Sequence, residues 1–241
     1  MNEKKQGFVL QSIRYGDTSL IVKVYTLDAG LQSFMVKGVR GKASRNRAAF
    51  FQPMTFLYFV QKGKPRANGL SFMGDLEVAY AYQSITRDVK KSAILMYVSE
   101  LLSHALTQQE HNEPLYAFVQ QSMGWLDLVE EGYANFPIYF TLELSRFLGF
   151  YPQANYFEHA LFDMMEGRFV TAPPLHPYYL DEAYSEMLSR LLNRGIDELQ
   201  TVIMIGSQRN ALIEGIITFM RLHAPLLKGL QSHEILREIL R

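Results

Sequence analysis

YGDTSLIVKVYTLDAGLQSFMVKG, Tyr15 to Gly38, reads as two strands with turns at their ends. Leu20, Val22 and Val24 recur at every second position and fall on one face. YGD before them and DAG after them are turn sequences, because Gly and Asp tolerate the backbone angles that reverse a chain. LQSFMVKG follows, with Phe34 and Val36 on one face. Working outward, GFVLQSIR mixes apolar and polar positions from Phe8 to Ile13 and reads as a preceding strand. PMTFLYFV carries aromatics and β-formers on both faces, the pattern of a buried strand. KGKPRANG is a turn by composition, and LSFMGDLEV supplies a fifth strand that Asp75 and Glu77 close. Five short strands at regular spacing in the first 80 residues predict a five-stranded Greek-key barrel of the OB type.

From about Ala81 the apolar period becomes helical. SITRDVKKSAILMYVSELLSHALTQ places Ile85, Val89, Met96 and Leu101 on one stripe. PLYAFVQQSMGWLDLVEEG does the same with Leu115, Phe118, Leu126 and Val129, after a proline suited to a first helical turn. IYFTLELSRFLGF is a third helix, stopped by Gly149 and Pro152. DEAYSEMLSRLLNRG is closed by Gly195. Ser207 and Ser232 are N-cap candidates for the last two helices. Residues 149–179, with four prolines and a GRF turn, read as irregular. The organisation expected is α+β, with an OB-fold domain at residues 1–80 and an all-α domain at residues 81–241.

Charge divides along the same line. The 241 residues are formally neutral, with 24 basic and 24 acidic side chains. Residues 1–80 hold twelve Lys/Arg against five Asp/Glu, and residues 81–241 hold twelve against nineteen. Ala29 to Gly74 contains eight cations and no acid. KGVRGKASRNR alone gathers Lys37, Arg40, Lys42, Arg45 and Arg47, and Lys62, Lys64 and Arg66 follow in the next barrel loop. No acid intervenes in sequence to neutralise them. Such asymmetry points to a polyanion as the partner of the first domain. Phe34, Phe50, Phe51, Phe56, Tyr58 and Phe59 lie nearby, and single-stranded nucleic acid is bound by a cationic groove with aromatic faces. Most of these aromatics are expected in the barrel core. Gly38 and Gly41 would let the loop backbone approach a phosphate.

Enzyme chemistry finds little support. The GK of the basic loop is no phosphate loop: Val36 stands where a glycine is required and Ala43 where a hydroxyl is required. There is no cysteine, so disulfides, thiolate metal sites and cysteine nucleophiles are excluded. His159 and His176, with Glu158 and Asp163 near them, match no zinc spacing and read as surface or hydrogen-bonded histidines. No serine has a nucleophile-elbow context. No catalytic residue, metal or cofactor is expected. The first residues carry no secretory signal and no window resembles a membrane span, so the expected location is cytoplasmic.

The same residues resemble the bacterial recombination mediator family RecO. Tyr15, Gly16, Ser19 to Ile21, Thr26, Gly30, Lys37, Gly38, Arg40, Lys42, Ser44, Gln52, Pro53 and Thr55 stand where that family has matching motif positions. YVSELLSHAL, LELSRFLGFYP and KGLQSHEIL resemble its helical half, so the likeness spans essentially the whole chain. The resemblance implies an OB-fold followed by a helical domain and a non-enzymatic role in DNA repair. It implies binding to single- and double-stranded DNA and annealing of complementary strands. It also implies association with RecR and with the acidic tail of single-stranded DNA-binding protein, to help RecA load during repair at the nucleoid. Many members hold zinc through four cysteines after the LGFYP-like motif; here Tyr156, Phe157, Phe162 and Phe169 are expected to hold that segment by packing. Members often carry arginines where this chain has Ile138 and Tyr139; Arg146, Arg87, Lys90 and Lys91 are the cations available in their place. The alternative function is a protein-interaction adaptor whose basic barrel binds an acidic partner.

Overall fold

The computed structural model describes residues 3–39, 45–63, 70–106, 111–192 and 194–240, without the side chains of Glu3, Arg45 and Asn46. Five strands close a barrel in the order β1-β2-β3-β5-β4: β1 Glu3–Tyr15, β2 Ser19–Thr26, β3 Gly30–Val36, β4 Phe56–Lys62 and β5 Ser71–Tyr80. All pairings are antiparallel except β3 with β5, which closes the barrel through Phe34–Ser71 and Met35–Phe72. β1 is long because it serves two partners. Glu3 to Phe8 pair with β4, and Gly7 to Tyr15 pair with β2. A bulge between Val9 and Gln11 bends it from one to the other. There the Met54 N–H donates to the Val9 carbonyl at 2.7 Å, and the Val9 N–H to the Thr55 carbonyl at 3.0 Å.

Leu20, Val22, Val24, Phe34 and Val36 all point into the barrel, as the alternation predicts. Leu57 and Phe59 of β4 join them, and Phe34 meets Phe59 edge-on at 5.0 Å. The outer face of β4 is apolar for a separate reason. Phe8, Phe56 and Tyr25 lie outside the barrel, and Tyr116 of helix α3 (Glu113–Leu128) packs on Phe8 at 5.5 Å and on Phe56 at 6.3 Å. A short helix, α1 (Arg45–Ala48), and the turn Ala49–Phe51 lead into β4, with Phe51 buried in the core. One compact unit comprises Met1–Gln83 with Leu106–Gln121, and the other Ser84–Ala105 with Ser122–Arg241.

In the second unit, α2 (Val89–Ala105), α4 (Phe136–Phe147), α5 (Glu182–Leu192), α6 (Gly206–His223) and α7 (Ser232–Ile239) surround a separate core. α4 is buried on most sides, through Phe136, Ile138, Phe140, Leu142 and Leu144. It ends as expected at Gly149, whose φ of 86° lets the Phe150 N–H reach back to the Ser145 carbonyl at 3.1 Å. Four expectations need correction. Ile85 and Leu101 are buried, but Val89 and Met96 are 72% and 56% exposed. Ile85 sits in a turn before the helix begins, so a helical period carried through it loses phase; Ile94, Tyr97, Val98, Leu101 and Leu102 form the true stripe. The stripe of α3 runs through Leu115, Val119, Met123 and Leu126, with Phe118 half-buried and Val129 past the helix end. Gly195 has φ −78° and starts the next turn rather than stopping α5 in the left-handed region. Ser207 lies within the first turn of α6, whose cap position is Ile205.

Residues 149–179 are less irregular than their composition suggests. β6 (Leu161–Asp163), β7 (Arg168–Val170) and β8 (Tyr179–Leu180) form a three-stranded antiparallel sheet in the order β7-β6-β8. Strands of two or three residues carry too few positions for a period to be read. Phe162 packs on Phe169 at 5.2 Å and on Phe219 of α6 at 5.7 Å, and Tyr156 meets Phe169 at 5.3 Å. Phe157, by contrast, is 38% exposed and takes no part in that cluster.

Ser232 is the first residue of α7 rather than its cap. The cap comes from α2: the Glu100 carboxylate accepts the Ser232 N–H at 2.7 Å and the Gln231 N–H at 3.2 Å. Burial works against its ionisation, but the bonds from Ser232 and Gln231 outweigh it and hold its pKa below the ordinary glutamate value. Its stabilising effect is therefore present above the ordinary value and lost as pH falls through the lowered one. Glu100→Gln is expected to cost about 1 kcal/mol near neutrality. The difference from wild type should shrink in thermal unfolding as pH falls below the ordinary glutamate range; a difference that stays constant into acid would exclude a charge-dependent cap.

Candidate nucleic-acid interface

Of the eight cations expected to bind DNA, Arg40, Lys42, Lys64 and Arg66 lie outside the described residues, and Arg45 is described only through its backbone in α1. Lys37, Arg47 and Lys62 are described and all three are exposed. The basic segment is anchored at both ends. After β3, Gly38 turns the chain with φ 68°, and Val39 drops into the barrel core. Its N–H donates to the Thr18 carbonyl at 2.9 Å. At the other end Ala48, Phe50 and Phe51 pack on the same core, and the Phe51 carbonyl accepts the Ser12 hydroxyl at 2.6 Å.

The ends of β3 and β4 and the start of β5 meet at one residue, Phe72. Met35 of β3 stands beside it in the parallel register, and Lys62 of β4 stands opposite it in the antiparallel one. The Lys37 ammonium lies over the Phe72 ring, 5.0 Å from its centre. The segment leaving after Lys37 and the segment between Lys62 and Ser71 thus root at one edge of the barrel.

One acid does intervene in space, contrary to the expectation from sequence. Asp75 does not close β5 but sits in mid-strand, at φ 48°, where a bulge interrupts the pairing with Tyr58 and Val60. Its carboxylate pairs with the Lys62 ammonium at 3.2 Å. The stem of Lys62 lies across Gly74, where a Cβ would stand 2.4 Å from its Cε. Glu77 likewise pairs with Lys4 at 3.6 Å, and Lys4 lies over the Tyr58 ring at 4.7 Å. Such exposed pairs contribute little, roughly 0–1 kcal/mol each.

Phe34, Phe51 and Phe59 are buried in the barrel core, as expected of most of these aromatics, and Phe56 is buried outside it against Tyr116. Phe50 and Tyr58 are half-buried. Phe72 is not among the residues expected from sequence. Its alternation with Met73, which is buried in the barrel, is the signal that would have found it.

Both histidines of residues 149–179 stand beside carboxylates. His159 Nδ1 lies 2.8 Å from the Glu182 carboxylate, and His176 Nε2 lies 3.3 Å from that of Asp163. The bond to Glu182, then the charges of Glu182 and Glu158, raise the His159 pKa above its ordinary value. Among the described residues no group of three or more His, Asp or Glu could hold a metal ion. Nor, among them, is any helix long and apolar enough to cross a membrane. Of the cations considered for an acidic peptide, Lys91 is buried and bound to the carbonyls of Asp127 and Val129. Arg146 pairs with Glu143 and lies 3.7 Å from the centre of the Tyr151 ring. Arg87 and Lys90 are exposed.

The strand order and parallel closure define an OB-fold barrel, accompanied by a helical domain. The family model described as Recombination protein O N terminal matches residues 1–82, and that described as Recombination protein O C terminal matches residues 86–228. The chain is 32% identical over 240 residues to the DNA repair protein RecO of Phocaeicola vulgatus, covering 99% of each. It is 32% identical over 241 residues to the DNA repair proteins RecO of Flavobacterium psychrophilum and Bacteroides fragilis, again over 99% of each. The chain belongs to the RecO family, and its role lies in DNA repair and recombination.

Proposed function

We propose that this chain is a non-catalytic recombination mediator that binds single- and double-stranded DNA through its barrel, residues 1–80. In this reading it anneals complementary strands. With RecR, it helps RecA replace single-stranded DNA-binding protein. It works in the cytoplasm, at the nucleoid during repair. The helical domain, residues 81–241, with its acidic balance, faces proteins, among them the acidic tail of single-stranded DNA-binding protein. Lys37, Arg40, Lys42, Arg45, Arg47, Lys62, Lys64 and Arg66 supply the phosphate contacts. The observation that supports the reading is that Lys37 and Lys62, from which the two cation-rich, acid-free stretches of sequence depart, stand at one edge of the barrel beside Phe72. Phosphates held by cations release counterions, and this dominates affinity without reading sequence.

The test is fluorescence anisotropy of a labelled single-stranded oligonucleotide across a salt series. Wild type is compared with the triple variant Arg40→Glu, Lys42→Glu, Arg45→Glu. Log affinity of wild type should fall with log salt by about 0.7 per neutralised phosphate. The variant should lose on the order of tenfold or more at low salt, with a slope flatter by about 2. Equal affinity and slope in the two proteins would move the function to an acidic protein partner.

A further inference from the structure

We propose that Phe72 is a stacking platform for one unpaired base of single-stranded DNA, and that Lys37 leaves its ring for a phosphate when that base arrives. The proposal rests on the DNA-binding reading above and names the base-contacting residue of that surface.

Phe72 faces outward, because Met73 beside it fills the barrel core. It is half-buried, which fixes the ring while leaving part of it to solvent. Phe34, Phe51 and Phe59 are buried inside the barrel, and Phe56 is covered by Tyr116. Tyr80, in register with Phe56, meets Tyr82 edge-on at 5.5 Å; Tyr58 also faces outward, but Glu77 stands opposite it in register and pairs with Lys4. A carboxylate directly opposite the ring repels the phosphate of a stacked nucleotide, whereas Asp75 stands three residues along β5 from Phe72. Phe72 has two cations close to it, Lys37 over the ring and Lys62 across the ladder.

Each of those cations has a temporary partner of the kind DNA replaces. A cation over a ring at an exposed site is held weakly, whereas a base stacked on the same ring gains dispersion over its whole face. Lys37 then needs an anion, and the phosphate next to the stacked base supplies one. Lys62 is tied to Asp75 by an exposed pair, its carboxylate aimed there by the bulge in β5. Exchange of that carboxylate for a phosphate places a second cation on the backbone of the same nucleotide. Bases in a duplex are already stacked on each other and cannot reach the ring, so this subsite serves single strands only.

The experiment compares Phe72→Leu, Phe72→Trp and wild type, all full-length, on a thymidine 25-mer and on a matched blunt duplex at one salt concentration. Phe72→Leu is expected to weaken single-strand binding on the order of tenfold and duplex binding less than about twofold, because phosphate contacts survive. Phe72→Trp should restore single-strand affinity. Its added indole emission, taken as the difference from wild type with its single native Trp125, should fall on binding the 25-mer and not the duplex. Unchanged single-strand affinity in Phe72→Leu, or equal losses on both DNAs, would overturn the proposal. Should Phe72→Leu fail to fold, the Phe72→Trp emission decides alone. A wild type that binds neither DNA overturns the DNA-binding reading itself, a separate result.

Discussion

Gly7→Ala is expected to destabilise the barrel by about 3 kcal/mol, at the upper end of the usual cost of overpacking. Gly7 stands where β1 changes partners, opposite Thr26 of β2 and Leu57 of β4. A Cβ there would lie 2.6 Å from Val24 Cγ1, 2.8 Å from the Tyr25 carbonyl oxygen and 3.3 Å from Thr26 Cα. Val24 could turn its methyl aside, but Tyr25 and Thr26 offer backbone. Backbone retreats only by opening the ladder, and β1 is held on its other side by β4, so the strand cannot slide away. Urea denaturation of the two proteins measures the cost as a shift in midpoint at constant slope. A difference below about 0.5 kcal/mol, the range of an ordinary surface substitution, would mean that the strands separate there more easily than their register implies.

Asp127→Ala is expected to cost more, about 3–5 kcal/mol, because it removes the acceptor of two backbone N–H groups in a buried cluster, at about 1–3 kcal/mol for each group left unsatisfied. Asp127 is 2% exposed. Its Oδ1 accepts the Ser84 N–H at 2.8 Å and the Ile85 N–H at 3.0 Å. These donors precede α2, and Asp127 is in the last turn of α3. Lys91 completes the cluster: its ammonium donates to Ser84 Oγ at 2.7 Å and to the Val129 carbonyl at 2.5 Å. Alanine would leave two N–H groups without an acceptor and remove a carboxylate from the cluster in which the Lys91 ammonium is bound. Asp127→Asn separates the two effects. The amide oxygen can still accept both N–H groups, so only the charge is lost, and about 1–2 kcal/mol is expected. Thermal and urea unfolding of both variants decide the matter. If Asn costs as much as Ala, charge holds the cluster; if Ala costs under about 1 kcal/mol, water replaces the carboxylate and the network contributes little.

The barrel was legible because its strands are long enough for a period. Leu20, Val22 and Val24 in β2, and Phe34 and Val36 in β3, repeat at every second residue and all turn inward. The helices were legible as elements, but their buried faces were less so. One turn of non-helical chain at Ser84 to Arg87 shifted the phase of α2 and put Val89 and Met96 in the wrong place. The cap of α7 could not be read near Ser232, since its acceptor, Glu100, lies 132 residues away. The sheet of β6, β7 and β8 escaped notice because strands so short are ordered by Ser185, Asn155 and the aromatic cluster around Phe162 rather than by their own pattern.

The candidate interface divides in the same way. Composition by itself determined that cations concentrate in residues 37–66, that acids are excluded there, and that thiol chemistry is absent. Those are properties of the list of residues and do not depend on how the chain is arranged. Only the tertiary structure decided which residues share the barrel edge. It brought Lys37, Lys62 and Phe72 together through strand register, and it aimed Asp75 at Lys62 through a bulge. Register and bulges are set by pairing between distant strands, so a side chain's neighbours across a sheet are not written in its neighbours along the chain.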